Sequence, residues 1–128
     1  MTKTPIQTDK ASAVGPYSLG INANSFVFVS GQTPLDSATG KLVEGNIGAQ
    51  TEQCFANLKA VLEAAGLGFD AVVKTTVFLV DMGDFAAMNE VYAKHVSAPY
   101  PARSTIGVAA LPLNARVEIE LIAAVPQD

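Results

Sequence analysis

One long run of helical periodicity, set among runs of strand character, most limits what this chain can fold into. In "GAQTEQCFANLKAVLEAA" (48–65), Cys54, Phe55, Leu58, Val61, Leu62 and Ala65 recur at helical spacing and predict one apolar face. Gly66 follows as a natural left-handed residue beyond the helix end. Before it, "SFVFVSG" (25–31) reads as a strand, and "YSLGI" (17–21) is expected to pair with it across "NANS". "DSATGK" (36–41) reads as a turn leading into a short strand at "KLVEG". After it, "AVVKTTVFLV" (71–80) is β-branched and predicts another strand. A second helix is expected next, with Asp81 as N-cap, Asp84 near its positive end, and Phe85, Met88, Tyr92 and Val96 on its apolar face. Pro99 and Pro101 end it. Two strands, about 103–108 and 116–124, close the chain. Strands and helices mix without strict alternation, which predicts α+β: a single mixed β-sheet with two helices packed on one face.

That layout leaves one sheet face uncovered, and composition bears on what covers it. Apolar residues are 49% of the 128 and charged residues only 16%, against roughly 25% charged in an ordinary soluble domain. We therefore expect one domain, 1–128, that buries a face against copies of itself. No apolar run is long enough to span a bilayer, and the polar first ten residues do not read as a signal peptide. Cys54 is the single cysteine, so no internal disulfide is available. A cytoplasmic protein fits these observations. With a net charge of −4 and scattered basic residues, nucleic acid is not an expected partner.

The closing strands carry charge where a plain sheet would not: Arg103, Arg116, Glu118 and Glu120. If the two strands form a hairpin with Thr105 opposite Glu118, then Arg103, Thr105, Glu118 and Glu120 share one face. Two uses of such a patch stay open. Arg103 could hold a small carboxylate bidentately while Glu118 orients a water, or the set could be a ladder of cross-strand ion pairs. Tyr17 follows a Gly-Pro turn and could pack or cover a ligand. Ser30 and Gly31 end a strand, where glycine lets another group approach. His95 has no second histidine nearby, so no metal site is expected. Cys54 sits on the apolar helical face and reads as core.

"AVGPYSLG", "SGQTPLDSATGKLV", "NLKAVLEAAGL", "VVKTTVFLVDMGDFAAMNEVYA", Pro101-Ala102-Arg103-Ser104 and "LPLNARVEIE" span nearly the whole chain. In this order they resemble the Rid family, the reactive intermediate deaminases also called YjgF or L-PSP proteins, and most closely its RidA branch. The resemblance implies a chorismate-mutase-like fold of the Bacillus type and a homotrimer with clefts between protomers. It implies hydrolysis of 2-iminopropanoate and 2-iminobutanoate to 2-keto acids and ammonia, without cofactor, which protects pyridoxal-phosphate enzymes. By position, Arg103 matches the family's carboxylate-binding arginine and Glu118 its water-positioning glutamate. Tyr17, Ser30 and Gly31 match the cleft lining, and Asn89 and Tyr92 the pocket edge. Thr105 stands where many members have Cys, which bears on substrate preference. Gly107 and Ala110 are smaller than the usual residues and could reshape the rim. A non-catalytic trimeric binding or chaperone-like protein is the alternative of the same family. An endoribonuclease suits the acidic chain poorly. A chorismate mutase would want a second arginine, for which Arg116 is the candidate.

Overall fold

The computed structural model describes residues 2–126. Strands β1 (Lys3–Ile6), β2 (Gly20–Ala23) and β3 (Phe26–Gln32) form an antiparallel meander, with Asn24 at positive φ turning β2 into β3. A small hairpin follows, β4 (Leu35–Asp36) with β5 (Lys41–Leu42), which turns at Gly40. Helix α1 (Ile47–Ala64) starts at Asn46, whose side chain accepts from Ala49 N. It ends in a Schellman motif: Gly66, at φ 77°, donates to Glu63 O and Leu67 N donates to Leu62 O.

Strand β6 (Val72–Leu79) leads into a 3-10 turn at Met82–Asp84 and helix α2 (Phe85–His95). Asp81 caps the 3-10 turn through Gly83 N, not α2 itself, and Asp84 turns to Arg116 instead of capping. The chain then makes β7 (Ala102–Gly107) and, after a 3-10 turn at Pro112–Asn114, β8 (Val117–Ala124). One six-stranded sheet results, in the order β1-β2-β3-β8-β6-β7.

The expected hairpin between the last two strands does not form. β8 lies between β3 and β6 and is antiparallel to both, while β7 is an edge strand parallel to β6. The physical reason is the crossover. A strand-helix-strand unit returns its second strand parallel to the first, so α2 delivers β7 to the far side of β6. Strand β2 also starts later than "YSLGI", which leaves Tyr17 and Ser18 in the loop before it. β1 carries no strong strand signal, and Pro5 sits where an edge strand tolerates it.

Both helices pack on one face. Cys54, Phe55, Leu58, Val61 and Leu62 of α1 and Met88 of α2 join Val27, Val77, Val117, Ile119 and Leu121 in one core. Each fully buried large apolar side chain there contributes about 1.5–3 kcal/mol. The opposite face is open. Phe26 and Phe28 on β3 and Ile106 on β7 lie there, each close to half exposed.

Candidate functional site

The register places the charged residues on two faces, not one. Arg103 lies in a row with Thr75 and Leu121, both buried beneath the helices. Glu118 lies in the row of Phe78 and Ile106, whose side chains point to the open face. Arg103 and Thr105 therefore do not share a face with Glu118 and Glu120 within one protomer. Two interstrand steps and three residues along the strands separate Arg103 from Glu118, about 14 Å between Cα atoms.

Arg103 is held by α2. Its Nη1 donates to Asn89 Oδ1 at 2.6 Å. Its guanidinium lies over the Tyr92 ring at 4.6 Å and the Phe85 ring at 5.5 Å. Such stacking suits a planar, weakly hydrated cation. A pocket of about 360 Å³ opens beside it, with Asn89, Tyr92, Val96, Tyr100 and Arg103 in its wall. Just past β7, Val108 N donates to Leu79 O of β6. Strand alternation then turns the amides of Arg103 and Thr105 to the free edge of β7. The Thr105 hydroxyl is buried and lacks a hydrogen-bond partner among the described residues.

Glu118 occupies a second pocket, of about 380 Å³, on the open face, with Tyr17, Ser30, Gly31, Gln32 and Glu120 around it. Gly31 makes the room. A Cβ built there would run into the Glu118 carboxyl, with Cδ at 2.9 Å. Ser30 Oγ donates to Ser18 O at 2.6 Å and ties β3 to the loop that carries Tyr17. The Tyr17 hydroxyl accepts from Val14 N, which folds that loop over the pocket. Burial, and then repulsion from Glu120, raises the Glu118 carboxyl above the ordinary glutamate value. A half-buried carboxylate of raised basicity is fit to take a proton from water.

Glu120, which the sequence pattern sets on the same face as Glu118, borders the Glu118 pocket. Two pocket neighbours were not singled out from the sequence. Phe85 reads as plain core in the helical pattern but lies under Arg103, and Tyr100 carries no periodic signal yet lines the Arg103 pocket. Gly107 packs against Met82 instead of facing either pocket. Arg116 is committed to Asp84, with Nη2 3.1 Å from both carboxylate oxygens. Cys54 is fully buried, and burial with the nearby Glu118 charge pushes its thiol far up, so it is inert as a nucleophile. His95 is taken up by Glu52 at 2.6 Å and stacks on Phe55.

Fold and pockets together define an α+β protein with a cationic pocket at one sheet edge and an acidic one on its open face, each sized for a small molecule. The pattern of the Endoribonuclease L-PSP family matches residues 7–125, and the chain belongs to this family. It is 52% identical over 122 residues to Reactive Intermediate Deaminase A, chloroplastic, of Arabidopsis thaliana; the match covers 94% of this chain and 65% of the plant protein. It is 46% identical over 119 residues to the 2-iminobutanoate/2-iminopropanoate deaminase of Mus musculus, covering 92% and 88%. The crystal structure of E. coli TdcF with bound serine superposes at a TM-score of 0.89 with 41% identity, covering 96% and 99%. Among the described residues no helix is long and apolar enough to cross a membrane.

Proposed function

We propose that this protein hydrolyses small 2-imino acids, 2-iminopropanoate and 2-iminobutanoate, to 2-keto acids and ammonia. The site would form between copies in a homotrimer of the chorismate-mutase-like kind, Arg103 coming from one copy and Glu118 from the next. The observation that carries this reading is the separation of the two residues. Each has its own pocket, one at the β7 edge and one on the open face, and the two side chains leave opposite faces of one sheet. Stacking the apolar open face of one copy against the β7 edge of another supplies the missing half. It also covers Phe26, Phe28 and Ile106. The names of the plant and mouse relatives, and the serine bound in TdcF, support an amino-acid-derived substrate.

The chemistry asks little. Arg103, with the free β7 amides of residues 103 and 105, holds the carboxylate. Tyr17, Ser30 and Gly31 form the other wall. Ionised Glu118 takes a proton from a water as the water oxygen bonds to C2 and the C=N π electrons move to nitrogen, which Glu118 then protonates to give a tetrahedral adduct bearing OH and NH2. Ionised again, Glu118 takes the hydroxyl proton of the adduct and passes it to nitrogen as the C=O bond forms and the C–N bond breaks, releasing ammonia and leaving the keto acid. Placing the reactants and one base suffices for an imine, which is already electrophilic, so no cofactor is required. Thr105 is proposed to affect which side chain is preferred.

Phosphodiester cleavage is disfavoured because Glu118 and Glu120 would repel the phosphate. Chorismate chemistry is disfavoured because Arg116 is occupied by Asp84. A cytoplasmic role guarding pyridoxal-phosphate enzymes is part of the same proposal. To test it, threonine dehydratase generates 2-iminobutanoate in the presence of semicarbazide, and added protein should lower the semicarbazone yield. Arg103→Ala should restore that yield. An unchanged yield with folded wild-type protein would favour the non-catalytic binding protein instead.

A further inference from the structure

Thr75 is only 2% exposed and belongs to a row of β6 side chains, with Val77 and Leu79, that is otherwise apolar and fully buried. Valine would fill the same space there and suit it better. A hydroxyl in such a place needs a partner, and it has one: Thr75 Oγ1 and the Tyr92 hydroxyl share a buried hydrogen bond of 2.7 Å. Thr75 is also the residue directly beside Arg103 in the parallel β6–β7 register. The Tyr92 ring is thus fixed at its hydroxyl end by Thr75. On its side it meets Phe55 edge-on at 5.6 Å, and its face supports the Arg103 guanidinium at 4.6 Å.

We propose that Thr75 is a positioning residue for the anion site. By fixing the height and tilt of the Tyr92 ring, it sets the direction in which Arg103 presents its fork to the pocket. Asn89 restrains one nitrogen of that fork, and the ring supplies the plane. This inference rests on the proposed role of Arg103 and adds a residue that never touches the ligand. A carboxylate held equally in the ground and transition states affects KM and leaves kcat alone. The signature of losing the Thr75 bond is therefore a split between the two constants.

The test uses the full-length protein and 2-oxobutanoate as the probe, with affinity measured by titration calorimetry and KM and kcat by imine trapping. Thr75→Val should bind the probe about tenfold more weakly and raise KM by the same factor, with kcat within about twofold. Thr75→Ser should restore both constants. Tyr92→Phe, which removes the same bond from the other side, should repeat the shift and guards against a folding defect in the first variant. If Arg103→Ala loses the probe but Thr75→Val and Tyr92→Phe bind it like wild type, the positioning role is overturned while the function stands. A lower kcat at unchanged KM would also overturn it. If Arg103→Ala binds like wild type, the anchor itself is wrong and both readings fall.

Discussion

Gly31→Ala probes the acidic half of the site with a single methyl group. A Cβ at position 31 would lie 2.9 Å from Glu118 Cδ and 3.2 Å from its Cγ. Carbon atoms rest at about 3.5–4.0 Å, so the carboxyl carbon must retreat by roughly 0.6–1.1 Å, and the oxygen nearest Gly31 by more. The obstruction is the far end of one flexible side chain, and the fold should absorb it. A displacement near 1 Å of a group that positions a reactant costs on the order of 100-fold in rate. We therefore expect Gly31→Ala to unfold close to the wild-type temperature and to lose about two decades of kcat in the semicarbazide assay. Gly40→Ala is the matching control. Position 40 has open space but a φ of 73°, so alanine there should cost about 1 kcal/mol of stability and leave turnover unchanged. Full activity in Gly31→Ala would refute the reasoning, because Glu118 would then not need the place it occupies.

Two pH effects follow from the carboxyls. Glu118 is raised by burial and by Glu120, so its ionisation disfavours folding as pH rises between its unfolded and folded values. Glu118→Gln should therefore be more stable than wild type at neutral pH but not in acid, as read by thermal melts. Wild-type turnover should rise with pH through a value above the usual ~4.3 of glutamate. Glu52 is lowered, chiefly by its hydrogen bond to His95. Its contribution is present above about pH 4.3 and lost as pH falls through the depressed folded value. Glu52→Gln should cost less than about 1 kcal/mol near neutrality, since the pair is partly solvated, and nothing at low pH.

Much of the fold was legible because periodicity reports local structure. The α1 stripe from Cys54 to Leu62, the strand character of Phe26–Gln32 and Val72–Leu79, and the turn at Gly40 all appear where the pattern puts them. Pairing was not legible. Strands adjacent in sequence read as a hairpin, but α2 carries β7 across β6, and β8 inserts between β6 and β3. That single topological fact reverses the face on which Arg103 and Thr105 lie. The candidate site residues stand out in the sequence as charges out of place in a sheet and as positions in the motifs of the resemblance. Their division between two faces does not, since side-chain parity has meaning only once each strand's partner is known. The Thr75–Tyr92 bond was equally hidden, for a buried threonine in a β-branched run looks like any other strand residue.

The proposed site is built from two copies, and mixing subunits tests that most directly. Arg103→Ala and Glu118→Gln should each be inactive alone. Refolded together in equal amounts, they should regain about a quarter of wild-type turnover, because one site in four would draw both intact residues from different copies. Mixtures that form hybrid oligomers yet stay inactive would contradict a site shared between Arg103 of one copy and Glu118 of the next.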